Sequence, residues 1–171
     1  MIKYVITLSR GCVLKFMSYN EKFMKLAIAE AKKAEKKGEC PIGAVIVYDD
    51  KVVSKAHNLR ETKQLTVSHA ELLAIEKANK KSGSWRLEDC DLYVTLEPCP
   101  MCGGAIIQSR IKNVYFGAFD KKAGAAGSVC DLFLPGMFNH NVSVTGGVLK
   151  DECSALLTDF FKALRKSRKK K

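Results

Sequence analysis

A chain of 171 residues, 47% of them apolar, is long enough for one domain with a sizeable core, and its composition argues against wholesale disorder. Lys and Arg number 29 against 18 Asp and Glu, and the net charge of +11 favours polyanionic partners without bearing on fold. Seven cysteines in no regular framework speak against a secreted disulfide scaffold and fit a reduced, cytoplasmic compartment.

The opening "MIKYVITLSRGCVLKFM" is apolar in patches, but Lys3, Arg10 and Lys15 interrupt it before any run reaches membrane-spanning length. Residues 1–17 are expected to be an extension outside the functional chain, with Met17 an alternative start. A helix follows: Ser18 and Glu21 form a capping box, Phe23, Leu26, Ala27, Ala31 and Ala34 recur at helical spacing, and Gly38 ends it. "GAVIVYDDKVVSKAHN" reads as a hairpin turning at Asp49-Asp50. A polar loop over 58–68 leads into a helix that carries His69 and Glu71 and closes at Ser82-Gly83. "CDLYVTLEP" is a buried strand, Pro100 to Ser109 a short helix, "NVYFGAF" a fourth strand and "VSVTGG" a fifth. A closing helix from Asp151 runs into the tail "RKSRKKK", basic at six positions of seven. Strands alternating with helices predict an α/β domain of three layers with no linker or internal repeat.

Two of these helix starts carry chemistry. Cys99 and Cys102 stand at i and i+3, so both sulfurs share one helix face. Pro100 suits the first helical position, where a missing N–H is harmless. The positive end of the helix favours thiolate, the form a metal requires, and two thiolates at this spacing suit zinc. No second C-x-x-C completes a closed structural site, and Cys12, Cys40, Cys90, Cys130 and Cys153 are scattered singly. His69 is the best third ligand. Three protein ligands leave one tetrahedral position open, the catalytic arrangement, and Glu71 is near enough in sequence to move a proton there.

"HAE" with "PCPMC" matches the H-x-E…P-C-x-x-C pattern of zinc-dependent nucleobase deaminases. Within that superfamily the chain resembles the bacterial tRNA-specific adenosine deaminases from about Asn20 to Arg165, through "PIGAVIV", "LYVTLEPCPMCGGAII", "VYFGAFDKKAGAAGS", "GGVL" and "DECSALLTDFF". The resemblance implies a cytidine-deaminase-like α/β/α sandwich on a five-stranded mixed sheet, with the deaminase domain over 18–165 and a basic tail over 166–171. It implies a cytoplasmic homodimer with one zinc per chain, converting adenosine to inosine at the wobble position of a tRNA anticodon stem-loop, with no membrane. His69, Cys99 and Cys102 match the zinc ligands and Glu71 the proton shuttle. Asn58 matches the asparagine that holds the purine, with Ala70 beside it. Asp120 and Lys122 match positions near the anticodon backbone, and Phe160 and Arg165 the region packing against the anticodon loop. The family usually reads D-P-T-A-H-A-E before the metal; here Leu65, Thr66 and Ser68 replace the aspartate, proline and alanine. Phe119 and Ala123 also depart from commoner choices.

Rival readings share parts of this pattern. A guanine or free-nucleoside deaminase has the same zinc site and even "PCPMC", but less need of a basic tail or the 116–128 loop. A riboflavin-pathway deaminase should carry a second cysteine cluster and a reductase domain, and neither is present. A zinc-stabilised RNA-binding module leaves Glu71 and the open ligand position without a purpose. His57 and His140 are expected to be structural.

Overall fold

In a computed structural model, which describes residues 2–7 and 15–168, strands β1 (Ile2–Thr7) and β2 (Lys15–Asn20) pair antiparallel as a separate two-stranded sheet. The expected capping box is replaced. Ser18 lies within β2 opposite Tyr4, and Asn20 caps α1 (Glu21–Lys36), its Oδ1 accepting from the Lys22 N–H at 3.1 Å. Asparagine is as good a cap as serine, and the backbone of Ser18 is already committed to strand pairing.

The hairpin forms as expected from β3 (Gly43–Tyr48) and β4 (Lys51–His57). Asp49 and Asp50 both take positive φ (48° and 55°), the conformation of a two-residue turn whose twist matches that of the strands. The polar loop beyond β4 contains a short helix, α2 (Arg60–Lys63), and then α3 (Ala70–Ser82) begins. Gly83 ends α3 at φ 67° in the left-handed region, as its sequence position predicts. Next come β5 (Asp91–Leu96), α4 (Pro100–Gln108), β6 (Asn113–Ala118), β7 (Ser143–Gly146) and α5 (Lys150–Arg168). α5 absorbs the first residues of the basic tail, while residues 169–171 lie outside the described residues.

The central sheet runs β4-β3-β5-β6-β7, antiparallel at β4-β3 and β3-β5 and parallel at β5-β6 and β6-β7. This is the expected mixed five-stranded sheet. On one face α3 and α4 cover Ala44, Ile46, Leu92, Val94, Val114 and Phe116; on the other α1 and α5 cover Val45, Val47, Tyr93 and Tyr115. The alternation along each strand is therefore apolar on both faces, as a sheet sandwiched by helices demands. Gly43 is what lets α1 lie so close: a Cβ there would stand 2.1 Å from the Ala27 carbonyl. β4 is an edge strand, and Lys77 and Lys81 of α3 reach over it to donate to the carbonyls of Lys55 (3.0 Å) and Val53 (3.2 Å). No described helix is long and apolar enough to cross a membrane.

Candidate active site

The site is assembled where β4 and β5 hand the chain to α3 and α4. Past the end of β4, the Asn58 N–H donates to Ile42 O and the Leu59 N–H to Ser68 O, each at 3.0 Å, which closes the loop carrying α2 and delivers the chain to His69. His69 occupies the N-cap of α3 with extended backbone (φ −74°, ψ 153°), yet its ring makes no capping bond. Cys99 does the same for α4 (φ −75°, ψ 170°), with Pro100 at the first helical position. Capping normally falls to short oxygen-bearing side chains. Here both N-cap side chains instead turn toward each other between two helix starts.

The resulting distances fit a metal. His69 Nδ1 lies 3.5 Å from Cys102 Sγ and 3.8 Å from Cys99 Sγ, and the three donor atoms all fall within 4.8 Å of one another. A tetrahedral zinc with bonds of about 2.3 Å to sulfur and about 2.0 Å to nitrogen separates those donors by about 3.5 Å. The two nitrogen–sulfur edges of the required tetrahedron are thus already set by the fold. Among these three side chains, hydrogen bonding from the Cys102 thiol and then from His69 brings the Cys99 thiol down to about 4. Cys102 is pushed up, first by that bond to Cys99 and then by burial. His69 is raised, chiefly through its bond to Cys99. Cys99 is thus held toward thiolate while Cys102 and His69 are held toward their protonated forms, so a metal that binds here displaces protons from the group.

Glu71, in the first turn of α3, is 4% exposed, and burial raises its carboxyl above the ordinary range, with His69 pulling the other way. A carboxyl held near a metal group and shielded from water is suited to exchanging a proton with a reacting molecule. Ala70, between them, is fully buried.

Asn58 is buried as well, its Nδ2 donating to Glu39 Oε2 at 3.0 Å. Asp120 lies in the loop after β6, where its Oδ1 accepts from the N–H groups of Lys122 (2.9 Å) and Ala123 (3.3 Å). Its carboxylate shapes that loop and leaves the Lys122 side chain exposed. Phe160 and Arg165 stand apart from the metal group, on α5 across the sheet. Phe160 is half-buried, edge-on to Phe161 at 5.3 Å, and Arg165 is exposed. Of the unexpected positions before the metal, Leu65 and Thr66 are exposed, whereas Ser68 is buried.

Of the buried carboxylates that escaped the sequence reading (Glu30, Glu39 and Glu97), the last two lie next to the site. Glu97 Oε1 accepts from the N–H groups of Ala126 and Ser128, each at 3.0 Å; Oε2 accepts from the Asp120 N–H at 2.9 Å and from the Ser128 hydroxyl. Burial works to raise its pKa, but the Ser128 hydroxyl and these N–H groups prevail and hold it low. Glu97 precedes the Pro98-Cys99 step, so one side chain ties the 120–128 loop to the strand that positions the metal group. Gly124 is required there, because a Cβ would sit 2.4 Å from that carboxylate. His57 and His140, expected to be structural, each make a local contact: His57 Nδ1 meets Glu30 Oε2 at 2.9 Å, and His140 Nε2 donates to Ile111 O at 2.8 Å.

A five-stranded mixed sheet bearing this His-Cys-Cys group and its buried carboxyl defines a nucleobase deaminase of the cytidine-deaminase-like fold. The family model for MafB19-like deaminases matches residues 18–165. The tRNA-specific adenosine deaminase of Bacillus subtilis (strain 168) is 54% identical over 153 residues, covering 90% of this chain and 95% of that protein. That of Aquifex aeolicus (strain VF5) is 47% identical over 145 residues, covering 85% and 95%. A solved structure from a study of A-to-I editing by tRNA:A34 deaminases at the wobble position of transfer RNA has a TM-score of 0.78 and 39% identity, covering 81% of this chain and all of that one. The guanine deaminase of Bacillus subtilis gives a TM-score of 0.59 at 34% identity, covering 86% and 94%. The chain belongs to the tRNA-specific adenosine deaminase family.

Proposed function

We propose that this protein hydrolyses adenosine to inosine at the wobble position of a tRNA anticodon, releasing ammonia. The observation that carries the reading is the three-donor group of His69, Cys99 and Cys102 at two converging helix starts, with Glu71 buried beside it. Those three residues would hold zinc, one ion per chain. Zinc supplies a Lewis acid that lowers the pKa of water at the site to about 7. Glu71 carries one proton of the attacking water to N1 of the base, and then the second, from the hydroxyl now bonded to C6, to the departing amine. Its buried carboxyl suits both steps, since it accepts and releases a proton within one environment. Asn58 holds the purine against this group, with the Ala70 backbone alongside. An anticodon loop presents its base unstacked and single-stranded, which lowers the energy needed to bring it to this group.

Lys122, Phe160, Arg165 and the basic tail over 166–171 contact the anticodon stem-loop, with Asp120 shaping the loop that presents Lys122. The functional domain spans 18–165, and the enzyme is a cytoplasmic homodimer. Leu134, Met137 and Phe138, all exposed after β6, offer apolar surface for a second copy to cover. The rival reading, a guanine deaminase, is favoured less by the lower identity and TM-score of that relative. The test is to incubate purified protein with an anticodon stem-loop, free adenosine and free guanine. Ammonia from the stem-loop is expected; ammonia from guanine alone would overturn the reading.

A further inference from the structure

Glu39 follows α1 and Gly38, is fully buried, and takes no part in the chemistry described above. Its Oε2 accepts from Asn58 Nδ2 at 3.0 Å and from the Glu61 N–H at 3.2 Å, and its Oε1 from the Thr62 N–H at 2.5 Å. Burial acts to raise its pKa, but the Thr62 and Glu61 donors outweigh burial and keep the carboxyl below its ordinary value. An ionised carboxylate can only accept hydrogen bonds.

That restriction matters for Asn58. The oxygen and nitrogen of an asparagine amide are nearly the same size, so which of them faces a ligand is decided by the neighbours. Against an acceptor-only carboxylate, the nitrogen must point to Glu39. Oδ1 and the second amide proton are then left for the opposite side. The backbone adds a further constraint, because the Asn58 N–H is fixed on Ile42 O.

We propose that Glu39 is a positioning residue for the deamination, fixing the Asn58 amide in the one orientation that meets the edge of the purine. This rests on the reading of Asn58 as the residue that holds the base. The same carboxylate binds the first N–H groups of the α2 segment, so it sets both the amide and the loop behind it. The role is indirect: Glu39 touches Asn58, and Asn58 touches the base.

The experiment compares Glu39→Gln, Asn58→Ala and the double variant with the parent on an anticodon stem-loop, with zinc content and melting followed in each. Glutamine offers one oxygen to three donors and sets an NH2 against an N–H, so the amide of Asn58 loses its fixed orientation. A misplaced substrate-holding group lowers turnover, and kcat/KM for Glu39→Gln is expected to fall about 10- to 100-fold at unchanged zinc content. Asn58→Ala falls by a similar or larger factor. Adding Glu39→Gln to Asn58→Ala then lowers activity by less than about twofold, because Glu39 acts through the amide. Multiplying losses would overturn the proposal while leaving Asn58 its role. Full activity in Asn58→Ala would remove that role and the proposal with it. If Glu39→Gln does not fold, Glu39→Asp replaces it, keeping the charge but withdrawing the oxygens by one methylene, and the same non-additivity is required.

Discussion

Replacing Glu97 with glutamine removes one charge and one acceptor oxygen from a carboxylate that serves four donors: the N–H groups of Asp120, Ala126 and Ser128 and the Ser128 hydroxyl. The glutamine oxygen has two lone pairs and satisfies two of them, while its NH2 faces the others as a fellow donor. Two partly buried donors left without acceptors around a buried carboxylate cost about 1–3 kcal/mol each, of which water and local relaxation recover a part, leaving a loss of about 2–4 kcal/mol. For a chain of this size, each kcal/mol moves the melting temperature by about 2–4 °C, so Glu97→Gln should melt about 5–15 °C below the parent at neutral pH. The pH dependence follows from the direction of the shift. The folded carboxyl titrates below its unfolded value of about 4.3, so its stabilisation is present above that pH and is lost as pH falls through the folded value. The gap between parent and variant should therefore close on acidification below about pH 4. Thermal melts by circular dichroism from pH 3 to 8 measure both effects. A melting point within about 2 °C of the parent at neutral pH would refute the assignment of Glu97 as the anchor of the 120–128 loop.

Cys99→Ala should lose zinc measured by plasma emission, since two donors remain of three; full zinc content would sink the ligand assignment. Glu71→Gln should keep zinc and fold while turnover drops by about 10²–10⁴-fold, because a proton transfer is lost. The same variant without metal should melt above the parent near pH 7: a buried carboxyl with a raised pKa destabilises the fold above its unfolded value of about 4.3. Loss of zinc in Glu71→Gln would make it a ligand instead. Deleting 166–171 should weaken stem-loop binding and flatten its salt dependence by about 0.7 in log-log slope per lost phosphate contact. Phe160→Ala should weaken binding by about 1–3 kcal/mol at unchanged slope if its ring stacks on a base, whereas identical slopes in parent and deletion would return the tail to a solvated terminus.

The metal group was legible because its residues obey local rules: a proline at a helix start, two sulfurs on one helix face, a histidine at another helix start. The Asp49-Asp50 turn and the Gly83 stop were legible for the same reason, each being a residue type suited to positive φ at the place where the chain needs it. What escaped depends on distant partners. Glu39 and Glu97 look like surface glutamates in sequence, and their donors lie 19–31 residues away on loops whose approach only the fold creates. The α2 turn escaped because four residues leave no periodicity. Ser18 was misread because a capping box and a strand end use the same polar residues, and pairing with β1 decided between them.

The lysines that lean over β4 have a consequence for association. A sheet grows by offering the open carbonyls and N–H groups of its outermost strand to a newcomer. On this side two of those carbonyls, at Val53 and Lys55, are already bound by the ammonium groups of Lys81 and Lys77. An incoming strand would have to evict both and bring its own backbone against their positive charge. The protein can thus be concentrated, or crowded against RNA, without its sheets zipping together along this border.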